Sequence, residues 1–454
     1  MQYGGVIDLK WRKMTGTHMA QVIRLLDLSG QLISAELVAK ELPRAAIDID
    51  SAIEEIRPLV AQIRAGGAKA LVEIAQKFDG IDINPIKVSA EELTQALISL
   101  DPSLRASLEV AIDRVRKVAN QAKPKDFTTE LADGANVHQR YQPVDSVGLY
   151  VPGGKAVYPS SVIMNVVPAQ VAGVRKLAIA TPGQKEFGGR AHPTVLATAA
   201  LLGVQDVYVI GGPAAVVAFA YGIAEIGLEP VNLVTGPGNV YVAAAKRLLR
   251  GVIAIDSEAG PTEVMVIADS TANAGFVAAD LISQAEHDEL AAAVLITDSE
   301  DFAERVRLAI AKQVAVTSNK TRVLASLSGQ QSAVVLVSDL AQAAQIADFY
   351  ATEHLELQTA SNDQLLAQIS NAGAIFVGDF SPVSLGDYLA GSNHVLPTGG
   401  QARFSSGLGV HTFLRPQQVI KYSESALSEV ANNVVAIADS EGLQAHGDAI
   451  RIRF

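Results

Sequence analysis

Short apolar runs alternate with longer stretches of helical periodicity through most of the chain after residue 145. Between 146 and 261 the strand-like runs are SVGLYVP, KLAIATP, DVYVIGG, NLVTG and VIAID, and helix-like stretches such as HPTVLATAALLGV and AAVVAFAYG separate them. A second alternation begins with VMVIAD (264–269) and continues through AAVLITD, AVVLVSD and AIFVGD (374–379). Strands that alternate with helices form parallel sheets. The pattern predicts two doubly wound, Rossmann-like α/β units with mainly parallel sheets.

The two ends of the chain have a different pattern. Before residue 145, amphipathic helical stretches such as DIDSAIEEIRPLVAQIRAGG predominate, and we expect part of this region to pack on the second unit. After residue 408 a helical pattern returns in SESALSEVANNVVAIADSEGLQAHGDAI. We therefore expect a helical N-terminal extension (1–44), a first α/β domain (45–149 with 262–408), a second α/β domain (150–261) and a helical tail (409–454).

Composition narrows the possible partners. The 454 residues are 49% hydrophobic and 19% charged, which is enough apolar material for a large core. The formal charge of −12 opposes binding to nucleic acid or to an anionic membrane surface. The first residues lack the apolar region of a signal peptide, and no apolar run has the length of a membrane span, so we expect a cytoplasmic protein. The chain has no cysteine, so a metal would need His, Asp, Glu or amide ligands.

The stretch DLISQAEHDE (280–289) combines an apolar helical pattern with polar groups at its end. If the helix continues to its end, Gln284 and His287 share one face. Together with a carboxylate, an imidazole and an amide oxygen would suit a borderline ion such as Zn²⁺. The alternative is a polar helix end with ordinary caps, because the candidate ligands are scattered along the chain and form no short metal motif.

The segment TEHLE (352–356) places Glu353 beside His354, where a helical pattern gives way to a strand pattern. Such a junction can carry an acid or base imidazole and a carboxylate into a cleft at the edge of a sheet. A surface glutamate and a histidine that interacts with a helix dipole is an equally good structural interpretation.

Two glycine-rich stretches follow strand-like runs: VPGGKAVYPSS (151–161) and TGPGNVYVAAAKR (235–247). Gly238 and Asn239 precede a helical pattern, so main-chain amides there could meet the phosphates or ribose of a cofactor. Many such loops are only tight turns. Neither stretch is the G-x-G-x-x-G dinucleotide motif, so a nucleotide would have to bind in a different way.

Taken together, these stretches resemble the histidinol dehydrogenase family. The matching runs occur in the family's order over roughly residues 145 to 450. They are VGLYVPGGKAVYPSSVIMN, GPGNVYVAAAKR, IDSEAGPTEVMVIAD, SQAEHD, EHLEL, GDYLAGSNHVLPTGGQAR and EGLQAH. The resemblance implies a zinc- and NAD-dependent enzyme that oxidises L-histidinol through the aldehyde to L-histidine, the last step of histidine biosynthesis. It also implies an intertwined homodimer in which the tail reaches the partner's active site.

The resemblance assigns roles to individual residues. The implied zinc ligands are Gln284, His287, Asp387 and His446. Glu353 and His354 are the implied catalytic pair: His354 would take the hydroxyl proton, and Glu353 would activate the water that hydrates the aldehyde. The remaining implied contacts are Thr262, His394 and Glu441 for the substrate, which the zinc ligands would also meet, and Tyr150 and Asn239 for NAD.

Some positions depart from the family pattern. Ala214 stands where a glutamine that contacts NAD is common, Thr262 replaces a serine, Thr352 replaces a proline, and GVHTF (409–413) replaces the more usual SVYDF. These departures favour, as an alternative, a related dehydrogenase of another small alcohol such as sulfopropanediol, whereas His394 and Glu441 favour histidinol. A zinc hydrolase with Glu353 activating a metal-bound water is a further alternative, and a non-catalytic scaffold is a third.

Overall fold

The computed structural model describes residues 22–45, 48–153 and 156–454, and it contains two parallel sheets, a small antiparallel sheet and helices around them. The helices are α1 Ala35–Glu41, α2 Ile49–Phe78, α3 Ala90–Ile98, α4 Pro102–Ala122, α5 Pro159–Ala172, α6 Pro193–Leu201, α7 Gly212–Tyr221, α8 Val240–Leu249, α9 Ala274–Ala285, α10 Glu300–Val314, α11 Lys320–Leu327, α12 Leu340–Tyr350, α13 Asn362–Leu366, α14 Val383–Tyr388, α15 Glu424–Ser440 and α16 Gln444–Arg451.

The larger sheet has six parallel strands. In chain order they are β1 Arg24–Asp27, β9 Glu263–Ala268, β10 Ala292–Thr297, β11 Ala333–Leu336, β12 His354–Gln358 and β13 Ala374–Val377, and their spatial order is β1-β11-β10-β9-β12-β13. Strands β9, β10 and β12 are buried along their whole length, as expected for apolar runs covered by helices on both faces. Helices α9, α10 and α11 pack on one face, and α1 and α12 pack on the other. The strand order reverses between β9 and β12.

The smaller sheet has five parallel strands. They are β4 Ser146–Tyr150, β5 Lys176–Thr181, β6 Asp206–Val209, β7 Leu233–Thr235 and β8 Ala254–Ile255, in the order β6-β5-β4-β7-β8. This order reverses between β4 and β7, which creates a crevice at the carboxyl ends of these two strands. The α/β architecture predicted from the alternating pattern is therefore confirmed.

An antiparallel sheet connects the smaller parallel sheet to the C-terminal helices. Its strands are β2 Phe127–Ala132, β3 Ala135–Pro143 and β14 Leu414–Tyr422, with β3 in the centre. Ser423 follows β14 and caps α15, and α15 and α16 pack on each other. The polar sequence of these strands and their exposed positions explain why the apolar pattern did not predict them.

The N-terminal half of the chain is divided between the two parallel sheets. The segment 22–45 packs on the larger sheet, as expected for part of this region, but it includes the edge strand β1 in addition to a helix. Helices α2, α3 and α4, in contrast, share a core with the smaller sheet. This differs from the predicted grouping of 45–149 with 262–408, because the apolar faces of these helices pack against the smaller sheet. Periodicity in the sequence predicts that a helix has an apolar face but does not predict which sheet that face contacts. Residues 1–21 lie outside the described residues.

Candidate active site

The carboxyl edge of the smaller sheet faces the amino edge of the larger one. Ser161, in the first turn of α5, has its Oγ 3.1 Å from Nε2 of His394. Asn393 donates through Nδ2 to the main-chain oxygen of Met164 at 2.7 Å, and the Gly260 amide donates to Thr398 Oγ1 at 2.5 Å. These contacts place the cleft between the two sheets beside the starts of β9 and β12.

Glu353 and His354 enter this cleft where α12 passes into β12. Helix α12 ends at Tyr350, and Ala351 takes up a left-handed conformation with φ of +52°, which turns the chain sharply into the strand. The register pairs His354 with Val264, so Glu353 lies beside Glu263 at the start of β9. Both residues of the predicted catalytic pair are almost completely buried, at 6% and 4% exposed.

The main chain of Glu263 holds both members of the pair. Its N–H donates to Oε2 of Glu353 at 2.9 Å, and its C=O lies 3.0 Å from Nδ1 of His354. Because a carbonyl oxygen only accepts hydrogen bonds, the proton of a neutral His354 ring sits on Nδ1, and Nε2 carries the free lone pair. His354 is therefore arranged as a base that acts through Nε2.

Thr262 links Glu353 to the predicted metal ligand Gln284. Its hydroxyl donates to Oε2 of Glu353 at 2.5 Å and accepts a hydrogen bond from Nε2 of Gln284. Since the hydroxyl proton is used on Glu353, the amide must present its nitrogen to Thr262, which turns the amide oxygen elsewhere. Gln284 is 1% exposed and lies in the last turn of α9.

Burial shifts the pKa values of the pair in opposite directions. Desolvation raises the pKa of Glu353 well above its ordinary value, although hydrogen bonds from Thr262 and Glu263 oppose this effect. Desolvation lowers the pKa of His354, against an opposing effect of the Asp387 carboxylate. The imidazole is thus kept neutral, and the carboxyl group can hold a proton at higher pH than a solvated glutamate.

His287, Asp387 and His394 form a polar cluster next to His354. Desolvation lowers the pKa of His287 although the residue is exposed, and Asp387 raises it in opposition. His394 has its Nδ1 3.0 Å from the main-chain oxygen of Asp387, and its pKa is lowered by desolvation and raised by Asp387. The helix α9 ends at Ala285, so His287 lies beyond it, and the predicted shared helical face with Gln284 is wrong. The two residues reach the cleft from a helix end and the following turn.

The donor types at this place fit a zinc ion. An amide oxygen turned away from Thr262, an imidazole and a neighbouring carboxylate supply neutral and anionic ligands of the kind Zn²⁺ accepts. Within the described ranges, no group of three or more His, Asp or Glu side chains is placed to hold a metal by itself.

Glu441 and His446 lie on the C-terminal helices instead. Glu441 is the C-cap of α15, directly after Ser440, His446 belongs to α16, and both residues are exposed. In the part of the chain that the structure describes, neither takes part in a hydrogen bond or ion pair of the cleft residues.

Tyr150 and Asn239 flank the crevice of the smaller sheet. Tyr150 ends β4, and its hydroxyl accepts a hydrogen bond from the Gly212 amide at 3.0 Å, while burial raises its pKa to about 12. Asn239 caps α8, accepting from the amides of Tyr241 and Val242 at 3.1 and 3.2 Å, so its exposed side-chain NH₂ is available to a ligand.

The turn between β7 and α8 packs tightly against the end of β4. Gly236 has φ of +116°, and a Cβ there would lie 2.0 Å from the main-chain oxygen of Tyr150. Gly236 thus allows the main chain after β7 to approach the end of β4 closely at the base of the crevice.

Two of the positions that depart from the family pattern, Ala214 and Thr352, are buried. Ala214 is 4% exposed in α7 and presents only a methyl group. Thr352 is fully buried, and its hydroxyl donates to the main-chain oxygen of His354 at 3.3 Å.

Sequence reasoning missed three residues of the site: Ser161, Glu263 and Arg44. Ser161 and Glu263 lie within VYPSS and AGPTE, two stretches that match the family. Their presence in these stretches was the available signal. Arg44 contacts Glu263 from a segment 219 residues away, and no local signal in the sequence points to it.

A buried acid and base at one sheet edge, facing the crevice of a second parallel sheet, define an α/β protein with an enzyme-like site. A family model described as histidinol dehydrogenase matches residues 42–454, and the chain belongs to this family. The resemblance predicted from the motifs is therefore confirmed.

Individual relatives agree with this family. A histidinol dehydrogenase of Leifsonia xyli subsp. xyli is 54% identical over 432 residues, covering 95% of this chain and 99% of that protein. The one from Mycolicibacterium smegmatis is 53% identical, covering 94% and 97%. The crystal structure of histidinol dehydrogenase from Elizabethkingia anophelis superposes with a TM-score of 0.88 at 31% identity, covering 95% of this chain and 98% of that one.

No helix in the described ranges is both long enough and apolar enough to cross a membrane.

Proposed function

We propose that the protein oxidises L-histidinol through L-histidinal to L-histidine with two NAD⁺, as the final step of histidine biosynthesis. The observation that carries the proposal is the buried Glu353–His354 pair, held by one residue of β9, in a chain of the histidinol dehydrogenase family. The proposal includes a cytoplasmic location, where histidine biosynthesis and its NAD⁺ pool would meet.

His354 is the base of both oxidations. Its Nδ1–H is engaged with the Glu263 carbonyl and its lowered pKa keeps the ring neutral, so Nε2 can accept the hydroxyl proton as hydride leaves the carbinol carbon. NAD⁺, bound between Tyr150 and Asn239, would accept the hydride.

Glu353 prepares the second oxidation. The chain has no cysteine, so the aldehyde cannot be held as a thiohemiacetal and must be hydrated before it loses hydride. Because Oε2 of Glu353 accepts from Thr262 and Glu263, Oε1 is the oxygen that can take a proton from the attacking water. The raised pKa of this carboxyl makes it an effective proton acceptor once it is ionised.

The proposed metal ligands are Gln284, His287, Asp387 and a partner chain's His446. When bound, zinc would orient the amine and imidazole nitrogens of the substrate and stabilise developing negative charge. The ring of His394, held from both sides by Asp387 and Ser161, would meet the substrate's imidazole, with Glu441 of the tail nearby.

A homodimer with shared sites is part of the proposal. His446 and Glu441 lie on exposed helices outside the cleft of their own chain. The antiparallel sheet and tail also expose apolar side chains, including Phe127, Leu131, Ile420 and Ile437 at 51–70%. Exposed apolar side chains of this size support burial against a second copy.

The test is the stoichiometry of the purified protein with Zn²⁺ and NAD⁺. Two NADH per L-histidinol, with L-histidine as product, are expected. Oxidation of a sulfonated diol but not of histidinol would favour the related dehydrogenase. Hydrolysis of a test ester or amide without NAD⁺ binding in calorimetry would favour the zinc hydrolase.

A further inference from the structure

Arg44 joins the segment that carries the catalytic pair to the strand whose main chain holds the pair, although it belongs to neither. Its Nε lies 2.6 Å from Oε1 of Glu263, and its Nη2 lies 3.4 Å from Oε2. The same Nη2 donates to the main-chain oxygen of Tyr350, and the guanidinium carbon lies 3.9 Å from the centre of the Tyr350 ring. A planar guanidinium can make these contacts together because its N–H groups form a rigid fork. Arg44 thereby fixes the start of β9 to the end of α12.

The residue that Arg44 holds is also the one that holds the pair. The main chain of Glu263 supplies the amide for Glu353 Oε2 and the carbonyl for His354 Nδ1. A small rotation of this one residue would displace the carboxylate and the imidazole together. The other end of the Arg44 bridge, Tyr350, directly precedes Ala351, whose left-handed turn aims the pair into the cleft.

The Arg44–Glu263 ion pair should contribute little net stability to the folded chain. The side chain of Glu263 is 4% exposed and that of Arg44 is 28% exposed, so both lose much of their hydration. The cost of that loss largely offsets the attraction in a buried pair. A rigid, directional contact to a residue that organises the site is a use for which such a pair is well suited.

We propose that Arg44 and Glu263 are positioning residues that keep the acid and base of the site in register for the reaction. The proposal rests on histidinol oxidation as the proposed function. Neither side chain needs to touch substrate or zinc, so their loss should slow turnover and leave substrate binding and metal content largely intact. A misplacement of about 1 Å can reduce a rate by about 100-fold.

The test compares Arg44→Met, Arg44→Lys and the Arg44→Met/Glu263→Gln double variant with wild type. We expect kcat to fall about 100-fold in Arg44→Met, with KM for histidinol within about threefold and zinc content unchanged. The double variant should be no slower than Arg44→Met, because both changes disable one unit. Arg44→Lys keeps the charge but not the fork, so its kcat should fall about 10-fold.

The control is Arg190→Met, which breaks a similar pair in the other unit. Arg190 donates to both oxygens of Glu92 at 2.9 Å and to the main-chain oxygen of Pro85. It should leave kcat within about twofold of wild type. If Arg44→Met does not fold, Arg44→Lys decides, and a wild-type kcat in that variant would overturn the proposal. Equal kcat values for Arg44→Met and Arg190→Met would also overturn it, whereas a wild type that does not oxidise histidinol would refute the proposed function instead.

Discussion

The hydroxyl of Ser161 lies 3.1 Å from Nε2 of His394 and joins the carboxyl edge of the smaller sheet to the amino edge of the larger one. Nδ1 of His394 faces the Asp387 carbonyl, so Nδ1 carries the proton and Nε2 accepts from the serine. The orientation of a proposed substrate contact thus depends on a residue of α5, a helix that packs on the smaller sheet.

Ser161→Ala should loosen the His394 ring and weaken substrate binding. One hydrogen bond is worth about 0.5–1.5 kcal/mol, so KM for histidinol should rise up to about 10-fold with a smaller effect on kcat. Steady-state kinetics measure both. Ser326→Ala, which removes another buried hydroxyl that donates to the Ala291 carbonyl at 2.9 Å, serves as control. Equal KM values for the two variants would argue against this role.

Thr262→Val should uncouple Glu353 from Gln284. Valine keeps the volume but removes the hydroxyl that donates to Glu353 and accepts from Gln284. Oε2 of Glu353 then keeps only the Glu263 amide, and the buried Gln284 amide loses its hydrogen bond to Thr262. We expect kcat to fall by about 10- to 100-fold, equivalent to about 1.4–2.7 kcal/mol. Thr262→Ser keeps the hydroxyl and should stay near wild type. A valine variant as fast as the serine variant would show that the link is unnecessary.

The carboxyl groups of Glu356 and Asp280 lie close together next to the site and should make stability depend on pH. His354, Glu356 and Gln358 point to the same face of β12, towards α9. There Gln358 Nε2 donates to Glu356 at 2.8 Å and to Asp280 at 3.2 Å, and burial, followed by the Asp280 charge, raises the pKa of Glu356 to about 8.

The folded chain therefore binds the Glu356 proton more tightly than the unfolded chain, where the pKa is about 4.3. Its stabilising contribution is fully present below about pH 4.3 and is lost as pH rises towards 8. Over this window the free energy of unfolding should fall by up to about 1.4 kcal/mol per pH unit. Denaturant unfolding of zinc-free protein measures it. Glu356→Gln should flatten the slope, and an unchanged slope would exclude this group as its cause.

Mixed dimers should show whether two chains build each site. Chains with His287→Ala and chains with His446→Ala are each expected to be inactive, because each change removes a proposed zinc ligand from both sites of a homodimer. A mixed dimer would contain one site with both ligands intact, so partial activity should return on mixing. Mixing that leaves activity at the level of the separate variants would contradict a shared site.

The sequence predicted the parts of this structure that local pattern encodes. Buried runs such as EVMVIA identified the strands. Glu353, His354 and Gln284, which the motifs singled out, lie close together in the structure. The end of α9 at Ala285 was missed, because the polar residues after it are compatible with either a helix or a turn.

Contacts between residues far apart in the sequence could not be predicted from the local hydrophobic pattern. The packing of α2 to α4 on the smaller sheet and the contact of Arg44 with Glu263 depend on which surfaces meet in three dimensions. The main-chain role of Glu263 is invisible for a further reason, since any residue type supplies the same N–H and C=O groups.

The most direct test of the account compares zinc content and NADH formation in His287→Ala and His354→Ala. We expect His287→Ala to lose zinc and activity together, since it removes a proposed metal ligand. His354→Ala should retain zinc near the wild-type level and lose turnover by about 100-fold or more, since general base catalysis contributes about 10²–10⁴-fold. Full zinc in His287→Ala, or wild-type turnover in His354→Ala, would contradict the proposed division between metal binding and proton transfer.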